Sequence, residues 1–241
     1  MSQSRILLIS AALLAALGII RFVPLDAQGT KAKFKKPTAT PIELIKAKKD
    51  FKVELLYSVP KATQGSWISM TVDSKGRLIV SDQASTKVSK TGEKPIYRGL
   101  YRITPPPIGG KAEDTQVEQL PVELGEAHGL LWAFDSLYVV VNEGRNIKPR
   151  GLWRVTSSNK DDVLDKKELL REIDGGGEHG PHAVLLGPDG KSLYVLHGNH
   201  TKPIKTTTTT VPPIWGEDFL VPRLWDASGH AVGIMAPGGC I

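Results

Sequence analysis

The sequence predicts an all-β chain of repeated antiparallel sheets, a β-propeller with about three blades and the start of a fourth. Three observations predict it. The chain is turn-rich, with 24 Gly and 17 Pro in 241 residues, and its apolar residues come in short runs. Strand–turn–strand wording recurs along it. The recurrences are 61, 54 and 48 residues apart, near the ~40–50 residues of a propeller blade with loop insertions.

The first unit is "SWISMTVDSKGRLIVSD" at 66–82, two strand-like runs around an Asp-Ser-Lys-Gly turn. "AHGLLWAFDSLYVVVNE" at 127–143 repeats the form with a shorter turn around Asp135 and Ser136. "PHAVLLGPDGKSLYVLHG" at 181–198 repeats it again, turning at Gly187-Pro188-Asp189-Gly190. "GHAVGIMAPGG" at 229–239 reads as the opening of a fourth copy. The first two copies are followed by a third strand of similar wording, "RGLYRITPP" at 98–106 and "RGLWRVTSS" at 150–158. In this alignment Trp67, His128, His182 and His230 share one position, at the start of each unit's first strand.

Each unit is a sheet of about four strands that cannot bury both faces alone, and radial stacking buries them while leaving short, protected edges. A β-sandwich is the rival architecture, but it does not call for repeated wording. Two stretches break the pattern. Residues 160–173, "KDDVLDKKELLREI", read as a helical turn or a charged loop. "TKPIKTTTTTVPPIWGEDF" at 201–219 reads as an extended insertion. The chain stops at "APGGCI", where a second strand of the fourth unit is due. Closed propellers have about 4–8 blades, so the expectation is a piece of a longer protein.

The N-terminus reads as an export signal. Arg5 precedes the apolar run "ILLISAALLAALGII" at 6–20, and "LDAQ" at 25–28 offers small Ala27 before a cut. As a helix that run spans about 22 Å, short of the ~30 Å hydrocarbon core, which makes an uncleaved anchor the second reading. The organisation expected is a signal peptide over 1–27, a basic linker over 28–50 and the partial propeller over 51–241, in a periplasmic or cell-envelope protein. The formal net charge is +6, and Lys31, Lys33, Lys35, Lys36, Lys46, Lys48, Lys49 and Lys52 concentrate it beside the leader. That placement fits a solvated tether able to touch an anionic membrane surface. It is no nucleic-acid footprint, because no recognition motif accompanies it. The single Cys240 allows neither an intrachain disulfide nor a cysteine zinc site.

Four of the six histidines crowd "GGGEHGPHAVLLGPDGKSLYVLHGNH" at 175–200. Propeller first strands run along a central channel, so His128, His182 and His230 are expected to approach one another at one mouth. An imidazole ordinarily titrates near pH ~6.5, which suits proton abstraction at neutral pH when a carboxylate such as Glu178 or Asp174 orients it. A metal site from Glu178, His179 and His182, or from the three repeat-related histidines, is the competing chemistry. The third reading is architectural, with the histidines filling the channel and bonding backbone carbonyls. His197 and His200 flank a turn after a strand. Trp132, Trp153, Trp215 and Trp225 are candidates for stacking on sugar rings or for packing between blades. No nucleophile elbow, P-loop or dinucleotide fingerprint appears.

The stretch "EHGPHAVLLGPDGKSLYVLHGNH" resembles the corresponding segment of the soluble glucose and sorbosone dehydrogenases, six-bladed quinoprotein propellers. "EDFLVPRLWDASGHAVGIMAPGG" is similar to the exported bacterial relatives that often continue into a haem-bearing cytochrome c domain. The resemblance implies oxidation of a CH–OH group of a sugar or aldehyde, with His179 as catalytic base and pyrroloquinoline quinone (PQQ) and calcium as cofactors. It implies His182, Asn199, His230 and His128 as cofactor-contacting positions, a cytochrome c as electron acceptor, and haem only in a downstream domain. Two departures stand against it. Ala183 occupies a position where the family carries Arg, and "GHAVG" lacks the family's Arg-Asn pair. They favour the alternative, a non-catalytic propeller that binds carbohydrate or protein.

Overall fold

The computed structural model describes residues 39–83, 99–124, 126–143, 149–202 and 239–241, and these are all-β apart from short helical turns. The leader, Trp215, Trp225, His230 and most of the Thr-rich stretch lie outside the described residues. No helix among the described residues is long and apolar enough to cross a membrane. Residues 39–50 of the basic linker are almost wholly exposed and hold one short helical turn, Ile42–Leu44.

Among the described residues three antiparallel sheets follow one another along the chain, and within each sheet every strand pairs with its sequence neighbour. The first holds β1 (Ser66–Val72), β2 (Leu78–Gln83), β3 (Leu100–Thr104) and β4 (Gln116–Gln119). The second holds β5 (Glu126–Ala133), β6 (Ser136–Glu143), β7 (Gly151–Thr156) and β8 (Lys166–Glu172). The third is the hairpin of β9 (Pro181–Leu186) and β10 (Leu193–His197). Leu100 of the first "RGL" stretch and Gly151-Leu152 of the second open β3 and β7, where the repeat places a third strand.

The turns follow from their residues. Asp73 Oδ1 accepts the backbone N–H of Lys75 and of Arg77, closing the β1–β2 turn. Between β5 and β6 the two turn residues are Phe134 and Asp135, with φ of 50° and 51°, one residue earlier than the wording placed them. Positive φ at both positions defines the two-residue turn whose twist matches that of the strands it joins.

Side chains along β6 alternate with period two between two cores, as strand geometry requires. Leu137, Val139 and Val141 pack with Ile79, Leu100, Ala127 and Val155 in the core between the first and second sheets. Tyr138 and Val140 pack with Ala133, Leu152 and Val184 between the second sheet and the hairpin. The run "LYVVV" is thus apolar throughout because both of its faces are covered. The fourth strands show the opposite. β8 reads "KKELLRE" and is exposed except for Leu169, which packs against the first core. Residues 160–173 are therefore neither helix nor simply loop. Val163 and Leu164 lead into a charged edge strand held by its ladder to β7, and charge on an edge strand discourages pairing with other chains.

A bulge recurs in the first strand of every sheet, and it corrects the repeat alignment. The β1–β2 register skips Ile68, the β5–β6 register skips His128, and the β9–β10 register skips His182. The residue equivalent to the two histidines is therefore Ile68 and not Trp67. A bulge inserts one residue against none on the partner, and a shift of one residue reverses the face a side chain takes. Trp67 accordingly packs with Val80, Tyr101 and Ile103, stacks on Tyr57 at 5.6 Å, and donates its indole N–H to the Gln64 carbonyl.

Backbone-directed contacts join the sheets. Ser81 Oγ donates to the Ala127 carbonyl at 2.7 Å, and the Trp132 N–H donates to Thr71 Oγ1 at 3.1 Å. β5 and β9 approach so closely that a Cβ on Gly129 would stand 2.6 Å from the His182 carbonyl oxygen and 2.9 Å from Ala183 Cα. Both atoms are backbone, so nothing can swing aside. Gly129→Ala is expected to lower stability by about 1–3 kcal/mol, as overpacking does, measured by urea unfolding. An unchanged midpoint would contradict this packing.

A charge network ties the β7–β8 loop to the first sheet. Arg77 grips Asp162 with a two-pronged bond at 2.6 and 2.8 Å and donates through Nε to Asp73 at 2.7 Å. Lys75 Nζ also reaches Asp162, and Arg102 donates to the Asp162 carbonyl at 2.8 Å. The Arg77 guanidinium holds the Asp162 carboxyl well below the usual carboxylate range. A carboxyl depressed in the folded state contributes stability that is full above its unfolded value of 3.8 and is lost as pH falls below it. Asp162→Asn should therefore destabilise the protein at pH ~7, and the gap from wild type should shrink between about pH 4 and pH 2. Urea midpoints at both ends of that range test it; a gap independent of pH would refute the role of the charge.

Candidate functional site

The crowding of histidines follows from hairpin geometry. β9 begins and β10 ends at the same edge of the sheet, with Pro181 paired to His197. Residues before β9 and after β10 continue the pairing as irregular backbone. Gly198 N donates to Gly180 O at 3.0 Å, His200 N to His179 O at 2.9 Å, and Lys202 N to Asp174 O at 2.8 Å. The Gly198 position cannot carry a side chain, because a Cβ there would lie 2.5 Å from the His179 carbonyl. The two loops therefore close like a zip, and His179 and His200 meet across it.

The structure sorts the described histidines into three settings. His179 is half-buried, and its ring lies 4.7 Å from that of His200, tilted by 47°. His128 and His182, from different sheets, bring their Nδ1 atoms to 3.3 Å. Their ring planes differ by only 27°. His182 Nε2 contacts the Glu178 backbone carbonyl. A carbonyl only accepts, so Nε2 carries the proton and, in the neutral ring, Nδ1 of His182 presents a lone pair toward His128. His197 is buried and takes no part in either pair. Its backbone exchanges two hydrogen bonds with Cys240, whose Sγ lies 3.4 Å from Nε2 and 3.8 Å from Nδ1, over the ring. Partial burial pushes the Cys240 thiol up, so it stays protonated at neutral pH. Cys240, expected to open a second strand of a fourth unit, instead bridges to the free edge of β10.

Neither expected carboxylate is seen to orient an imidazole among the described residues. Asp174 Oδ2 pairs with Lys202 Nζ at 2.6 Å, and Glu178 reaches His182 through its backbone carbonyl rather than its side chain. Asn199 is half-buried in the turn between Gly198 and His200. Ala183 is half-buried on β9, opposite Leu196. Trp153 is a core residue whose Nε1 donates to the Pro149 carbonyl, and Trp132 packs against the first core, so both serve packing. Among the described residues no three of His, Cys, Asp and Glu gather around a common point, and Glu178, His179 and His182 do not form a ligand set.

Sequence reasoning missed the residues that hold this end together. Asn142 is fully buried at the end of β6, and its Nδ2 donates to Gly177 O at 3.0 Å and Pro181 O at 2.8 Å. Arg150 Nη1 donates to Gly175 O at 2.7 Å, and Thr201, also buried, bridges to Gly175. The signal was present in "VVVN": an amide closing an apolar strand must find partners or pay for its burial. Asn142 Oδ1, His200 Nε2 and Thr201 Oγ1 are buried without a protein hydrogen-bond partner. All three flank the loop over 174–181. Unpaired buried polar atoms cost about 1–3 kcal/mol each, and three of them concentrate that cost around one loop.

Asn142→Ala should destabilise the protein by about 1–3 kcal/mol, because two loop carbonyls lose their donor. Hydrogen exchange should quicken at the amides of His200 and Lys202, which bond to that loop, while the β6–β7 ladder stays protected. Uniform quickening everywhere would show that Asn142 does not act on the loop.

No family model, no curated protein and no solved structure matches this chain.

Proposed function

We propose that this chain is part of an exported β-propeller of the glucose/sorbosone dehydrogenase-like group, and that the histidine-bearing end of its third sheet receives a hydroxyl-bearing sugar or aldehyde. Three sheets in chain order among the described residues, each opening with the same bulge, support the propeller reading. The leader and the basic tether support export to the cell envelope, beside an anionic membrane surface.

One observation carries the site: buried polar atoms without protein partners surround the loop that presents His179. Sugar hydroxyls both donate and accept, which matches an amide oxygen, an imidazole nitrogen and a threonine hydroxyl together. His179, in ring contact with His200, is the group to take the proton from a substrate hydroxyl. On this reading PQQ held with calcium would supply the hydride acceptor, and a cytochrome c would be the onward electron acceptor.

The residues described here fit only half of that quinone site. PQQ bears three carboxylates, which planar guanidinium forks match best. Arg150 is committed to the Gly175 carbonyl, and Ala183 stands where the family has Arg. The imidazoles His182 and His128 and the amide of Asn199 offer hydrogen bonds in place of forks. Ala183 therefore favours a second reading, a non-catalytic propeller that binds carbohydrate at the same loop.

The purified chain, supplied with PQQ and Ca²⁺, is expected to oxidise aldoses with a redox dye. His179→Ala should lower that rate about 100-fold or more, the scale of a lost general base, while leaving sugar affinity within about threefold. Sugar binding without oxidation would select the non-catalytic reading. Absence of both would end the proposal.

A further inference from the structure

We propose that His128 and His182 are a two-imidazole clamp for a borderline divalent transition-metal ion such as Zn²⁺. This does not depend on the quinone reading and concerns the other histidine pair.

The spacing of the two nitrogens is that of a chelate. Imidazole nitrogens bind Zn²⁺ at about 2.0–2.1 Å, and two of them at a tetrahedral angle stand about 3.3–3.4 Å apart. The Nδ1 atoms of His128 and His182 are 3.3 Å apart. The His182 ring is also in the state a metal requires. A ligating imidazole characteristically donates its other N–H to a carboxylate or backbone carbonyl, which fixes the tautomer and aims the lone pair. His182 Nε2 does this toward the Glu178 carbonyl, leaving Nδ1 as the coordinating atom. Binding asks that His128 present Nδ1 without its proton, so that the ion replaces the proton shared by the two rings.

The scaffold holds this spacing without help from the ion. Both histidines are the extra residue of a bulge, so both leave the ladder of their own sheet. The residue after His128 is Gly129, pressed against the His182 carbonyl. The two Cα positions are thereby set by backbone contact between sheets, and bulges are a recurrent means of re-aiming a side chain at a functional site. Both rings are half-buried rather than sealed in the core. Since no third His, Cys, Asp or Glu among the described residues joins the pair, water or a ligand would complete the coordination.

The test uses the full chain with Zn²⁺ and with Co²⁺ as a spectroscopic substitute. One equivalent should bind, with Co²⁺ giving the visible bands of a low-coordinate nitrogen–oxygen site. His128→Ala and His182→Ala should each weaken binding at least tenfold, whereas His179→Ala and His200→Ala leave it within twofold. Long-range ¹⁵N NMR of the unaltered protein guards against misfolded variants: Zn²⁺ should shift the Nδ1 resonances of two imidazoles, with the third-sheet ring keeping its Nε2 proton. No binding, binding that follows His179 or His200 instead, or imidazole spectra unmoved at saturating Zn²⁺ would each overturn the proposal.

Discussion

The contact on which the rest depends is the close approach of β5 to β9 at Gly129. A Cβ there would stand 2.6 Å from a backbone oxygen of the neighbouring sheet. Glycine has no Cβ, so two sheets that share no ladder can come into backbone contact at this point. The consequences run in two directions. Inward, the approach lets Val140 and Leu152 reach Val184, forming the second core. Outward, it sets His128 beside His182 and places the end of β6 against the loop leading to β9, where Asn142 clasps two carbonyls.

The two histidine pairs that result are chemically different. His128 and His182 point nitrogen at nitrogen, and one of them is fixed in its tautomer by a carbonyl, an arrangement for sharing a proton or an ion. His179 and His200 touch at an angle and stand beside buried polar atoms without protein partners, an arrangement for meeting a polar ligand. The loops that carry the second pair are held by backbone hydrogen bonds rather than by a core, and the glycines over 175–180 let them run against each other. A rigid pair fixed by sheets thus stands next to a pair carried on loops. Loops placed on a rigid scaffold are where binding residues concentrate.

Much of the fold was legible because strands announce themselves. Alternation, Asp-Gly turns and the repeated "RGL" wording located eight of the ten strands among the described residues, as the physics of the pleat and of positive-φ turns allows. The fourth strands were not legible. "QVEQ" and "KKELLRE" have too few apolar residues to show a period, and their partners β3 and β7 impose the extended state through the ladder. The repeat position was misread by one residue for a related reason. A bulge leaves no mark in composition, so Trp67 seemed equivalent to the histidines while the register assigns that place to Ile68.

By itself the sequence determined the all-β class, the meander order of the strands, and the crowding of His179, His182, His197 and His200 into one strand–turn–strand unit. Those follow from local chemistry and from the antiparallel return of a short chain. Tertiary structure decided which histidines meet. It paired His128 with His182, turned Trp67 onto the opposite face, took Asp174 to Lys202, and set Cys240 over His197. The physical reason is that each outcome depends on register, bulge position and distance between sheets, quantities that arise only when separate backbones are brought to within about 3 Å of each other, the hydrogen-bonding distance.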